Sequence, residues 1–440
     1  MRFLGIGEYC DLGAMYIRLV EAGHQVKVYV ENADYHDVYA GMLNFTDDWC
    51  SELEWIREAG QDGIILFESA IKGGIQDALR QDGYQVIGGS AFGDMLESSR
   101  EYGQQIMHEM GLSIAKTFKF TDYDAAIIFV RASKKRYVYK NNGADSERTR
   151  NYVGKAHDGA DLIAILLHYK SQQLESVEAD FVLMEFISGI EVGIGAYFNG
   201  ERFLQPACLD WEHKHFFNGD LGELTGEMGT IVTYRGAEVI FKRTLLQLEP
   251  KLKEGGYCGY INLNMIANAE GLWPLEFTSR FGYPGYSICA ALHVDSWQIL
   301  FQNMLRKSSL NFKTTAGFAA GVVLNVPPFP YHYGYETLSK GMPILFEPSL
   351  TKMDMQNLHF NEVATINNQL VTSGMTGNIA TAIGAGSTIE AARQQTYELT
   401  KKIILPNMRY RLDIGANLIA GNLQQLIDWG YIDYAIANAS

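Results

Sequence analysis

Residues 259–282 constrain this chain more than any other stretch. Gly259-Tyr-Ile-Asn262-Leu-Asn264-Met-Ile-Ala267 and Pro274-Leu-Glu276-Phe-Thr278-Ser-Arg280-Phe-Gly282 alternate polar with apolar residues, and Asn268-Ala-Glu-Gly271 between them has a turn composition. Alternation with a period of two specifies strands with two different faces. The pair therefore reads as a hairpin with Asn262, Asn264, Glu276 and Thr278 on one face. Oxygen ligands on neighbouring strands can hold Mg²⁺ against nucleotide phosphates. Arg280, just past the second strand, adds a planar cation suited to phosphate or carboxylate. A solvated surface hairpin would show the same alternation, so the rest of the chain has to discriminate.

The chain has 440 residues, too many for one simple core, and two to four structural units are expected. Hydrophobic residues make up 47%, enough for a large core and a cleft. The formal net charge of −15 argues against a general nucleic-acid binder, which needs clustered Lys and Arg. An anionic ligand must instead meet a local positive site. The five cysteines are dispersed and show no CxxC spacing, so neither a disulfide framework nor a structural zinc site is expected, and a reducing cytoplasm fits best. The first residues turn polar at once, without a signal-peptide layout, and no apolar run approaches the roughly 18 residues of a membrane span.

Over the first 95 or so residues, strand patterns at 2–6, 25–30, 63–68 and 84–87 alternate with helix patterns at 12–22, 47–59 (capped by Thr46 or Asp47) and 70–81. This order specifies a doubly wound parallel sheet. Gly5 and Gly7 fall at the end of the first strand, but the third glycine of a dinucleotide fingerprint is missing and Glu8 follows. The two glycines read as a tight strand-to-helix turn, and an oxidoreductase lacks support. A long helix is expected over 94–110. A small α/β unit follows, with strands at 137–140, 181–187 and 191–198 and a helix at 161–169. Residues 202–297 are mainly β with one helix near 237–252. From 317 onward short strands and turns dominate, ending in a helix at 388–402.

Five short motifs, in order, carry a resemblance. They are Met184-Glu-Phe-Ile-Ser-Gly189-Ile-Glu191, Glu212-His-Lys214, Gly219-Asp-Leu-Gly222 with Gly226-Glu-Met-Gly229, Leu275-Glu-Phe-Thr-Ser-Arg-Phe-Gly282, and Tyr410-Arg-Leu-Asp413-Ile-Gly415. In these the chain resembles the ATP-grasp ligases, and among them the glycinamide ribonucleotide synthetases. The resemblance implies a mixed α/β and α+β architecture, the ATP-grasp fold. Its expected parts are a doubly wound N-terminal domain over 1–95, an ATP-grasp domain over 96–315 with a lid subdomain at about 116–187, and a β-rich C-terminal domain over 316–440. It also implies an ADP-forming carboxylate–amine ligase that acts through an acyl-phosphate on small molecules, with ATP and Mg²⁺ (Mn²⁺ as the alternative) and neither nucleic acid nor membrane as partner.

By the same resemblance Lys140 and Arg100 meet phosphates, the backbone of Glu185, Phe186 and Ile187 reads the adenine edge, and Glu191 holds the ribose. Glu276, Asn264 and Thr278 hold metal. Arg280 steadies the acyl-phosphate or the incoming carboxylate, and Asp220 and Lys214 belong to a substrate loop. His213 and His215 share a strand face and read as part of that loop or as plain surface.

The departures are specific. The glycine-rich loop that cradles a sugar phosphate in the synthetases is here Gly7-Glu-Tyr-Cys-Asp-Leu-Gly-Ala14, where Glu8 and Asp11 repel phosphate. RFGDPE becomes Arg280-Phe-Gly-Tyr-Pro-Gly285, and a metal-binding Asn becomes Thr278. The lid's phosphate loop becomes 141–150, where only Arg148 and Arg150 could compensate. A substrate other than phosphoribosylamine is expected. The alternative is a nucleotide-binding scaffold or regulatory protein without turnover. Tyr331-His-Tyr-Gly-Tyr335 reads as a contact segment.

Overall fold

Four apolar runs near the N-terminus pair as parallel strands: β1 (Arg2–Gly7), β2 (Gln25–Val30), β3 (Gly63–Phe67) and β4 (Gln85–Ile87), in the order β2-β1-β3-β4. β3 is buried along its whole length, as a strand covered on both faces must be. A computed structural model describes residues 1–141, 151–172 and 179–433. The expected helix at 47–59 starts instead as a tight turn over Trp49–Glu52, because the Asp48 carboxylate accepts the Cys50 N–H, and α-helix is confined to Leu53–Glu58. Gly5 and Gly7 lie inside β1 rather than in a turn. A Cβ on Gly5 would come within 2.4 Å of the Tyr16 ring, and one on Gly7 within 2.0 Å of Glu68 Oε2, so both glycines make room for side chains.

The long helix expected over 94–110 is two helices, α1 (Ala91–Ser98) and α2 (Arg100–Glu109). Ser99 between them is extended, and its hydroxyl accepts the Tyr102 N–H as an N-cap. The break makes Arg100 the first residue of a helix instead of a mid-helix residue.

A separate four-stranded sheet holds β5 (Thr117–Phe120), β6 (Tyr137–Asn141), β7 (Tyr152–Val153) and β8 (Phe181–Glu185), in the order β5-β8-β6-β7. With helices α3 (Tyr123–Ser133) and α4 (Ala160–Gln172) it closes over its own core of Ile127, Val130, Tyr139, Leu162 and Phe181. Arg148 and Arg150 lie outside the described residues.

The largest element is an antiparallel sheet of β9 (Ile190–Phe198), β10 (Cys208–Glu212), β13 (Gly229–Thr233), β14 (Gly259–Asn268), β15 (Gly271–Thr278), β16 (Phe318–Asn325), β17 (Leu358–Phe360) and β18 (Asn378–Gly386). A hairpin of β11 (His215–Phe217) and β12 (Leu221–Leu224) leaves it after β10. The order is β15-β14-β9-β10-β13-β16-β18-β17. Gly229 pairs with Val322, so one sheet runs on through the strands that follow Gly317. The helix expected near 237–252 is three short pieces, Glu238–Arg243, Leu245–Leu248 and Glu249–Glu254. One hydrophobic core joins the large sheet to β1, β2 and α2.

Candidate functional site

The β14–β15 hairpin sets the site. Asn268 Oδ1 accepts the N–H groups of Glu270 and Gly271 and closes the turn. The resulting register places Asn264 opposite Glu276 and Asn262 opposite Thr278. On the other side of β14, Asn264 pairs with Gly193 of β9, which pairs in turn with Asp210 of β10. Polar side chains from four strands therefore share one face. Gly193 allows this, since a Cβ there would lie 2.0 Å from Asp210 Oδ1.

At the centre stands Lys214, two residues beyond β10. Its ammonium lies 3.0 Å from Glu191 Oε1, 3.2 Å from Glu212 Oε2 and 3.5 Å from Glu276 Oε1. Asn264 Nδ2 donates to the same Glu191 oxygen at 2.7 Å. The Lys214 charge, aided by Lys140 and Arg100, holds the Glu276 carboxyl down at about 2 despite burial. For Glu191 burial is the largest influence and acts upward, but Lys214 and the Asn264 amide together outweigh it and its pKa is lowered. Burial lowers the pKa of Lys140, with Glu276 and Glu191 opposing it, and lowers that of Arg100, with Glu276 opposing. The lid strand β6, the N-terminus of α2 and the large sheet thus bring Lys140, Arg100, Lys214, Glu191, Asn264 and Glu276 into one electrostatic unit.

The remaining expected residues are placed as follows. Glu185 pairs with Lys135 at 2.5 Å, Phe186 lies under the Arg136 guanidinium, and Ile187 packs beside Met184 and Ala115. The backbone N–H groups of Glu185 and Phe186 are already bonded to the carbonyls of Lys116 and Arg136. The strand expected to reach 187 ends at Glu185. Thr278 is half-buried opposite Asn262, whose amide donates to Asp210 Oδ2 at 2.6 Å. Asp220 lies away from the lysine cluster, 3.0 Å from the guanidinium of Arg411, which is 1% exposed and also binds Asp413. His213 is buried and accepts the Gly415 N–H, while His215 bonds the Gly222 carbonyl.

Arg280 turns away from the carboxylate face. Its Nε pairs with Glu97 Oε1 at 2.9 Å, and its charge also acts on Asp11 and Glu8. The cause is the end of β15 at Thr278, after which Ser279 is held by Glu97 and by the Gly93 carbonyl. No Lys or Arg lies between Arg2 and Arg18 in the sequence to offset Glu8 and Asp11. The fold supplies Arg280 and Lys72 there, with Lys72 already 2.7 Å from Glu31.

Sequence reasoning missed Asp210, Glu212, Glu227, Glu97 and Glu68. The first two carried a signal, acidic residues two apart in an otherwise apolar strand. Asp210 is 6% exposed, and burial with the nearby Glu212 charge pushes its carboxyl up to about 8. Burial and the Glu212 and Asp210 charges likewise raise Glu227. The donor set fits a cation, since an ammonium already sits among three carboxylates. Among the described residues no three His, Cys, Asp or Glu side chains stand in metal-ligand geometry.

Residues 98–286 match the family model described as the phosphoribosylglycinamide synthetase ATP-grasp (A) domain. Phosphoribosylamine–glycine ligase of Listeria monocytogenes is 27% identical over 390 residues, 86% of this chain and 87% of the relative. The crystal structure of phosphoribosylamine–glycine ligase from Thermotoga maritima superposes with a TM-score of 0.69 at 22% identity, covering 94% of this chain and all of the other. The biotin carboxylase domain of Hydrogenobacter thermophilus 2-oxoglutarate carboxylase, solved with ADP, magnesium and bicarbonate, superposes with a TM-score of 0.62 at 11% identity over 98% of this chain and 95% of that one. The fold is the ATP-grasp fold, that of a class of ADP-forming ligases. In particular, the chain resembles phosphoribosylamine–glycine ligase, a carbon–nitrogen ligase, over most of its length. Among the described residues no helix is long and apolar enough to cross a membrane.

Proposed function

We propose that the chain uses ATP with Mg²⁺ to activate a small carboxylate as its acyl-phosphate and joins it to an amine that bears no terminal phosphate. The observation that carries this reading is the convergence of Lys140, Arg100 and Lys214 on Glu276 and Glu191. It supplies cations for phosphate oxygens beside carboxylates for a metal and a ribose. Lys140 and Arg100 neutralise the phosphates. Glu276 holds the metal, with the Asn264 amide oxygen and the Thr278 hydroxyl as neutral partners. When bound, Mg²⁺ offsets the charge on the transferred phosphoryl group. The hinge at 185–187 reads the adenine edge through the Ile187 backbone or through carbonyls, because two of its N–H groups are taken. Arg280, paired to Glu97, positions the loop of Glu8 and Asp11. Arg411 fixes Asp220 and so shapes the substrate loop.

The amine assignment rests on the loop after β1. Glu8, Asp11 and Glu31 gather there, and the nearby cations Arg280 and Lys72 already pair with Glu97 and Glu31. A phosphate monoester about 4 Å from a carboxylate loses roughly 1 to 4 kcal/mol per unit charge, depending on the local dielectric. The decisive experiment measures ADP release with ATP and Mg²⁺ against a panel of carboxylates, amino acids and unphosphorylated amines. Saturating ATP·Mg²⁺ should also raise Tm, since a ligand selective for the native state adds RT ln(1 + [L]/Kd). No ADP release with any carboxylate or amine, alongside a rise in Tm, favours the alternative of a nucleotide-binding scaffold or regulatory protein without turnover. No rise in Tm and no calorimetric binding rejects both.

A further inference from the structure

We infer that Lys214 is a resident counter-cation with two berths, and that its ammonium must leave the Glu191–Glu212–Glu276 triad before a divalent metal can enter it. The three carboxylates come from β9, the end of β10 and β15, so strand pairing fixes their separation and the Lys214 ammonium is the one charge that reaches all three among the described residues. The ammonium is within 3.5 Å of all three. A metal bound to Glu276 would stand within a few ångströms of the Lys214 ammonium, and the repulsion between the two cations opposes its binding.

The Lys214 backbone is fixed, since its carbonyl accepts both the N–H and the hydroxyl of Thr225 at 2.8 Å. Movement is therefore confined to the flexible four-carbon stem. A destination is present nearby. Asp210 Oδ1 and Glu227 Oε1 are buried and make no hydrogen bond, and both carboxyls lie within the electrostatic reach of Lys214. An unsatisfied buried carboxylate oxygen is costly, and a swung ammonium would satisfy it. Metal entry and relocation of Lys214 toward Asp210 and Glu227 then become one exchange, with each cation finding acidic partners.

The inference rests on reading Glu276 as a metal ligand, and the test separates the two. Mn²⁺ alone is titrated into the full chain and free ion is followed by electron paramagnetic resonance. Lys214→Met should bind Mn²⁺ at least about tenfold more tightly than wild type, because a unit charge some 4 Å away is removed. Lys214→Arg, which keeps the charge, should bind as weakly as wild type. Glu227→Gln, which weakens the second berth, should shift affinity the opposite way from Lys214→Met. Should Lys214→Met fail to fold, acylation of Lys214 in the wild type, read by mass spectrometry, should speed up several-fold on adding Mn²⁺. Equal Mn²⁺ affinity in wild type, Met and Arg forms, or unchanged acylation, overturns the exchange. Absence of Mn²⁺ binding in every form, with ADP added as well, overturns the metal-site reading itself.

Discussion

Two acidic regions of this molecule, built from the same residue types, are shifted in opposite directions. On the large sheet, Glu276 and Glu191 stand among Lys214, Lys140 and Arg100, and their carboxyls are held below the ordinary range, Glu276 at about 2. Beside the loop after β1, burial dominates. Glu68 is pushed up to about 8 and Glu362 to about 7, and Glu8 and Asp11 rise too. Glu362 spends both oxygens on Thr376 and the Gly377 N–H, and Glu68 accepts the Asp11 N–H. The difference teaches that a carboxylate is held in its charged form where the fold delivers fixed positive charge, and is pushed toward the neutral acid where burial outweighs the nearby cations. Asp210, one row further along the sheet from the lysine triad, already belongs to the second kind at about 8.

The largest expected effect breaks the first region. Glu276→Ala should lower ADP formation about a hundredfold or more, while circular dichroism stays native. Near-normal turnover in the folded variant would move the metal site elsewhere. Next comes the second region's exclusion of phosphate. With glycine, ATP and freshly generated phosphoribosylamine, little glycinamide ribonucleotide should form. Product at the pace of a dedicated synthetase would show that Glu8 and Asp11 do not repel the phosphate. If they do, Glu8→Gln with Asp11→Asn should lower KM for a phosphorylated amine about tenfold.

A smaller effect separates the regions by pH. The folded pKa of Glu68 lies above its ordinary 4.5, so its contribution is full below about 4.5 and is lost as pH rises through about 8. Each pH unit crossed in that window costs up to about 1.4 kcal/mol per such group. Glu68→Gln, which stays neutral and keeps an acceptor for the Asp11 N–H, should flatten the fall in Tm between about pH 5 and pH 8. Glu276 has the opposite sign, with stability present above 4.5 and lost as pH falls toward about 2. An unchanged slope in Glu68→Gln would mean that this carboxyl is charged at neutral pH. The smallest effect is Thr278→Asn, which should tighten Mg²⁺ binding by about two- to fivefold, read by calorimetry with ADP present.

Much of the fold was legible because it rests on local pattern. Period-two alternation gave the β14–β15 hairpin with its facing pairs Asn264/Glu276 and Asn262/Thr278, and the strand–helix rhythm gave the four parallel strands. What was not legible lay in local competition. Ser99 broke an otherwise continuous helical pattern because a hydroxyl can satisfy a helix start as well as solvate a helix side. Asp48 did the same for the helix expected at 47–59. Gly5 and Gly7 read as a turn, whereas they make room for Tyr16 and Glu68, residues distant in sequence.

The sequence by itself determined the strands, their polar faces and the order of the motifs, since these depend on the spacing of side chains along one chain. Only the tertiary structure decided which charges meet. It set Lys214 among Glu191, Glu212 and Glu276, drew Arg280 from the end of β15 to Glu97, and let burial outweigh the charge of Lys214 at Asp210. Coulomb energy and desolvation depend on separations and burial between residues tens to hundreds of positions apart, and the spacing of residues along a single strand does not encode them.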